Sequence, residues 1–308
     1  MDDQAPYPSA QKLVERLTAM GLDMDGELSV ASYIGHFDLL PSKAAYNHVP
    51  QAITERCTAI AEAGGEQAVE TYHRLVITTL VDAFDQRAAA CDLPSWLKEP
   101  TRRRLDDILR SLETPRRHQL RLERDDFLKD LAVCRLKLWP LGVELVDTDG
   151  GLPRRILLGG LRQAISAVSH VTLSLGGLGP FLETHFDSRR AQAFSPEGYH
   201  HLYLMIARLL RDRPAFKGLI STSWWHDPAV SRISPNLAFL NSLPVNAGAR
   251  VYRMYSDEQT TKSATRLSKE RMTLYREGNY LPTNYTLAWG RRDLLRWADA
   301  QEADGAIA

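Results

Sequence analysis

The spacing of apolar residues changes near residue 135, and that change limits how the chain can fold. Before it, apolar side chains recur at intervals of three and four, as in Val69, Tyr72, Leu75, Val76, Leu80 and Phe84, the stripe that a helix buries against a core. Ser42 to Ala63, Glu66 to Cys91 and Ser95 to Leu131 share this texture. Breaks are expected at Gly64-Gly65, Leu93-Pro94 and Thr114-Pro115, where glycine permits a turn and proline disfavours a helical residue before it. After residue 135, short apolar runs alternate with helical stretches. The expected strands are Arg135 to Val146, Arg155 to Leu158, Val171 to Leu175, Pro180 to Arg189, Lys217 to Trp225, Arg250 to Tyr255 and Tyr285 to Trp289. The expected helices are Pro196 to Arg211, Pro235 to Asn241, Thr261 to Glu277 and Arg291 to Ala300. The fold class is therefore α+β: a helical domain over 1–134, then an α/β domain over 135–308 with a mixed, mostly antiparallel sheet.

A chain of 308 residues with 44% hydrophobic content has ample material for a core. Its 38 basic and 38 acidic residues cancel, so bulk attraction to nucleic acid or to a membrane is not expected. Cys57, Cys91 and Cys134 lack metal-ligand spacing and read as reduced, buried thiols. The start, MDDQAPYPSA, has no signal-peptide core, and no apolar run is long enough to span a bilayer. A cytoplasmic location is the default expectation.

Ionisable residues concentrate between Phe181 and Arg232. As a strand, FLETHFD places Glu183, His185 and Asp187 on one face and Leu182, Thr184 and Phe186 on the other. A solvated strand face would carry the same pattern. The loop that follows ends in a helix start: Ser195 suits the N-cap, Pro196 the first helical position and Glu197 the positive end of the helix dipole. Free amides at such a start can receive a phosphate, with Arg189 and Arg190 adding charge, although Glu197 opposes an anion there.

Strand FLETHFDSRR, helix PEGYHHLYLMIARLLRDR, strand FKGLISTSWWHDP, the short helix PNLAFLN and strand ARVYRMYSD together resemble the central and C-terminal part of a GNAT-fold acyltransferase. The resemblance implies a small-molecule substrate and acyl-CoA or another acyl donor, its pyrophosphate at the start of the central helix. That family usually carries a Q/R-x-x-G-x-G/A loop there. This chain has RRAQAFSPEG, with Gly198 but no second small residue in register, so Arg189, Arg190 and Gly198 are the cofactor-binding candidates. A GNAT domain usually closes with a strand hairpin, whereas here a helix over Thr261 to Glu277 intervenes, carrying Lys262, Arg266, Lys269, Arg271 and Arg276. Acyl transfer implies a base and an acid. Glu183 and His185 are the base candidates, Asp187 could orient His185, and the acid comes from the tyrosines around Tyr275, Tyr280 and Tyr285.

Two other readings use the same residues. His185-Phe186-Asp187 has the H-x-D spacing of a 2-His-1-carboxylate site, with His226 as third ligand and Arg232 for an acidic co-substrate, which resembles the non-haem iron, 2-oxoglutarate-dependent oxygenases. Several strands normally separate those ligands, whereas here a helix does. Alternatively, the fold is a non-catalytic binding module. Glu70-x-x-His73 lacks the second half of a di-iron site, and Gly159-Gly160 and Gly176-Gly177-x-Gly179 read as strand connections. Trp224 and Trp225 are expected on opposite faces of a strand.

Overall fold

The computed structural model describes residues 8–113 and 120–303, and the chain divides into two compact units, Met1–Pro140 and Leu141–Ala308. The Thr114-Pro115 break lies outside the described residues. The first unit holds α1 (Ala10–Ala19), α2 (Val30–Asp38), α3 (Gln51–Asp82), α4 (Phe84–Ala90), α5 (Ser95–Glu113) and α6 (Asp125–Cys134). In α3, Gly65 has φ 71° and interrupts the helical geometry, because a left-handed residue cannot continue the ladder. Residues 42–50 form turns and not the start of a helix, and α3 begins only after Pro50. Among the thiols only Cys134 is buried. Cys57 is half-buried and Cys91 exposed, which corrects the expectation of three buried thiols.

The sheet is built from β1 (Leu138–Leu141), β2 (Glu144–Gly150), β3 (Phe181–Phe186), β4 (Gly218–Ser223), β5 (Arg250–Arg253) and β6 (Tyr285–Gly290), in the order β1-β2-β3-β4-β6-β5. The other helices are α7 (Leu161–His170), α8 (Pro196–Asp212), α9 (Pro228–Ile233), α10 (Phe239–Asn246), α11 (Glu258–Thr265), α12 (Lys269–Arg276) and α13 (Arg291–Ala303). Pairs β2–β3, β4–β6 and β5–β6 run antiparallel, whereas β3 and β4 run parallel with α8 as their crossover. The α+β class follows directly.

Two expected strands take another form. Arg154–Leu158 is a 3-10 turn, and Val171–Leu175 is a π-helical extension of α7. Short apolar runs do not distinguish strand from helix by period, and these two flank α7. The stretch over Thr261 to Glu277 is two helices, since the Ser268 side chain accepts from the Arg271 amide and restarts the chain as α12. Trp224–His226 likewise leaves the strand as a 3-10 turn, so the two tryptophan rings meet at 5.8 Å instead of pointing apart.

Strand alternation fixes what each face covers. Phe181, Ile220, Ala288 and Tyr252 share a core with Ala167 of α7. Residues one position away face α8 and α13, where fully buried Trp289 meets Tyr203 at 5.2 Å and Trp297 at 5.4 Å. On α8, Leu202, Ile206, Leu209 and Leu210 are all buried. Truncating a side chain such as Ile206 to alanine costs about 2–5 kcal/mol.

Candidate functional site

The β3–β4 register runs through Leu182↔Leu219, Glu183↔Ile220 and Thr184↔Ser221 and ends there. Beyond it each strand keeps only its outer neighbour: Leu145↔His185 and Glu144↔Phe186 on one side, Thr222↔Thr286 and Ser223↔Tyr285 on the other. The parallel pair therefore separates at its C-terminal ends. In open sheets with parallel strands, ligands bind outside such ends, beside the helix that starts there.

Aromatic rings gather around the separation. Phe186 meets Phe194 at 5.4 Å and Trp225 at 5.6 Å, and Phe194 also meets Tyr199 at 5.3 Å and Phe239 at 5.9 Å. Phe194 sits just before α8 and was absent from the sequence-derived candidates, since one aromatic in a polar loop carries no spacing signal. The neighbouring Tyr199 hydroxyl donates to buried Glu144, and its acidity is suppressed first by burial and then by that carboxylate.

At the start of α8, Ser195 Oγ accepts from the Gly198 amide at 3.1 Å. A Cβ on Gly198 would stand 2.0 Å from the Ala193 carbonyl oxygen, so this glycine admits the preceding turn to the helix. Its amide is already used. Glu197 caps the same turn, and its carboxyl is held below the usual range by backbone and Ser195 hydrogen bonds. Arg189 and Arg190 lie half-buried in the 3-10 turn Ser188–Ala193.

The polar tail of β3 divides by burial. Glu183 and His185 are half-buried and share the sheet face of Ile220 and Thr222. Asp187 lies past the strand, is buried, and accepts from the Arg189 amide at 3.1 Å. It caps the 3-10 turn and does not continue the alternating row. Among the described residues no three His, Cys, Asp or Glu side chains are grouped to hold a metal ion, so His185, Asp187 and His226 are not assembled into one site.

The tail of β4 holds a second His-Asp pair. His226 is buried, and its Nδ1 lies 2.9 Å from Asn241 Oδ1, while the Asn241 amide nitrogen donates to the Trp225 carbonyl. That orientation makes His226 Nδ1 the donor. Its Nε2 has no hydrogen-bond partner among the described residues, and burial lowers its pKa to about 4. Asp227 is buried and accepts from the Ala229 amide at 2.9 Å. Burial raises its pKa against the opposing pull of that amide, Arg253 and Arg232.

Of the tyrosine cluster, Tyr275 is exposed on α12 and Tyr280 is buried. The Tyr280 hydroxyl has no partner among the described residues. Burial raises its pKa, the Asp227 carboxylate raises it further, and Arg271 opposes. Tyr285, opposite Ser223, is shifted the same way by burial and Asp227. Arg271, one of the basic residues of the 261–277 stretch, is buried: it donates to the Ala264 carbonyl and to Ser234 Oγ, both at 2.6 Å, and lies over the Trp224 ring at 4.7 Å. Asp227 was absent from the sequence-derived candidates. No period identifies a buried carboxylate within electrostatic reach of a phenol. A cavity of about 650 Å³ lies elsewhere, against α10 and α13, lined by Leu243, Gly248 and Trp297 among others.

The fold is similar to that of a solved acyltransferase. The match is a crystal structure of an acyltransferase in complex with decanoyl-CoA, with a TM-score of 0.53, 14% sequence identity, and coverage of 91% of this chain and 88% of that one. It extends well beyond the element order legible in the second half of the sequence. No family model and no curated protein matches the chain. Among the described residues no helix is long and apolar enough to cross a membrane.

Proposed function

We propose that this chain transfers an acyl group from a thioester donor, an acyl-coenzyme A or a carrier-linked equivalent, to an amine or hydroxyl of a small molecule. The observation that carries the reading is the parting of β3 and β4 beyond Thr184 and Ser221, with α8 as the crossover between them. It supplies a slot between strands for an extended thioester arm and a helix start for an anionic group. Fold similarity to an acyltransferase supports the same reading, as does the resemblance of the element order to GNAT enzymes. In that family the donor's pyrophosphate lies at the start of the central helix, which here is α8.

Arg189 and Arg190 supply the charge for that pyrophosphate, and Gly198 supplies packing. The aromatic cluster of Phe186, Phe194 and Trp225 borders the slot and keeps its surroundings apolar. The acceptor nitrogen or oxygen attacks the thioester carbonyl carbon. His185, on β3 past its last pairing with β4, takes the proton that the attacking atom gives up, with Glu183 beside it on the same face. As the C–S bond breaks, the departing sulfur takes a proton from the Tyr280 hydroxyl. A tyrosine phenol is protonated at neutral pH, the state a proton donor needs, and burial and then Asp227 raise its pKa further. The proton on His185 then returns to Tyr280 through solvent, which restores both groups.

The test is thiol release from acyl-CoAs of several chain lengths against a panel of small amines and alcohols. Release that depends on an acceptor and falls in His185→Ala supports the proposal. Absence of acceptor-dependent release, with no thermal stabilisation by any acyl-CoA, contradicts it.

A further inference from the structure

Helix α7 is amphipathic the wrong way round. Its inner face offers Ala167 and His170 to the sheet, both buried, while Leu161, Ile165 and Val168, at intervals of four and three, point outward. Leu158 before the helix is 78% exposed, Leu161 79% and Leu173 after it 77%. Isolated exposed leucines are ordinary, but a stripe along one helix face and its two flanks marks an interaction surface. From Gly150 to Leu182 the chain carries Arg154, Arg155 and Arg162 and no aspartate or glutamate. All three arginines are exposed. The zero net charge of the whole chain conceals this local cationic excess.

We infer that this face seats α7 in the headgroup region of an anionic lipid bilayer, lying on the surface without crossing it. The chemistry matches at both levels: leucine, isoleucine and valine enter the acyl boundary while arginines beside them meet lipid phosphates. A second copy of the chain fits less well. A two-fold contact through this face would bring the arginines of both copies into one interface with no carboxylate in the segment to answer them. The inference is independent of the acyl-transfer reading, since it uses none of the residues assigned to that chemistry.

Flotation of the full chain with phosphatidylcholine vesicles, with and without roughly one-third phosphatidylglycerol, tests it. The protein is expected to float with the anionic vesicles, to float poorly with the neutral ones, and to be released by salt. Leu161→Asp with Ile165→Asp should weaken partitioning by about tenfold or more, because the lost apolar burial is compounded by a repelled charge. Replacing Arg154, Arg155 and Arg162 by glutamine should remove the preference for anionic lipid while leaving the apolar stripe intact. All substituted side chains are exposed, and circular dichroism with the thermal midpoint verifies the fold. No flotation with anionic vesicles, or flotation unchanged in both variants, overturns the inference. So does a concentration-dependent dimer that binds no vesicles and dissociates in the Leu161/Ile165 variant, which would give the face to a second copy.

Discussion

The two parallel strands each run out into a histidine and an aspartate, His185-Phe186-Asp187 at the end of β3 and Trp225-His226-Asp227 after β4, yet their surroundings give them opposite characters. At the end of β3 the histidine is half-buried on a strand that has just lost one neighbour, and the aspartate is locked as the cap of a 3-10 turn. At the end of β4 the histidine is buried and tied to Asn241, and the aspartate sits within electrostatic reach of two tyrosines whose acidity is suppressed first by burial and then by its carboxylate. Residue type therefore does not assign roles here. Exposure separates them: the proposed proton transfer draws on half-buried His185, whereas buried His226 is held against Asn241.

Exchanging the two histidines' roles is the strongest way to break this comparison. His185→Ala is expected to lower kcat by about 10²-fold or more and to remove the imidazole limb of the pH–rate profile, with the fold intact. The same profile should survive in His226→Asn. If instead His226→Asn alone abolished the limb, the assignment of roles would be reversed.

His226 should show itself in stability. Its folded pKa, about 4, lies below the 6.5 of a free imidazole. Its contribution is thus present above pH 6.5 and is lost as pH falls toward 4, a change on the order of 3 kcal/mol. Denaturant midpoints of the parent and of His226→Asn at pH 7 and pH 4.5 measure this. The parent should lose more stability on acidification than the variant, and equal losses would contradict the burial argument. His73 and His170, also lowered to about 4, add to the acid lability of both proteins equally.

Smaller effects sharpen the division. Tyr280→Phe should cut kcat by about tenfold or more without loss of stability, because the removed hydroxyl has no hydrogen-bond partner to forfeit. A stability loss with kcat unchanged would make Tyr280 structural. Glu197→Gln should tighten donor binding by about threefold by removing the carboxylate that caps the start of α8. Calorimetric titration with acyl-CoA measures it, and weaker binding would move the pyrophosphate away from α8.

What the sequence disclosed and what it hid follow from the same physics. Strand β3, helix α8 and strand β4 were legible because period-two alternation, the Ser195-Pro196 start and the period of α8 are local signals that the tertiary structure did not override. The placement of Glu183 and His185 on one face of β3 was legible for the same reason. Helix α7 was hidden, because its flanking apolar runs imitate strands and its large side chains face outward, where no core enforces them. Asp227, Tyr280 and Arg271 acquire their properties from burial and from one another across more than forty residues. No local pattern encodes such properties.

The central claim is that the separation of β3 and β4 holds an acyl thioester. Hydrogen–deuterium exchange of the full chain with and without a medium-chain acyl-CoA tests it most directly. The account predicts slowed exchange in the loop before α8, around residues 186–198, and in the turn after β4, around 223–230. Protection confined to the cavity between α10 and α13, or none at saturating acyl-CoA, would contradict it.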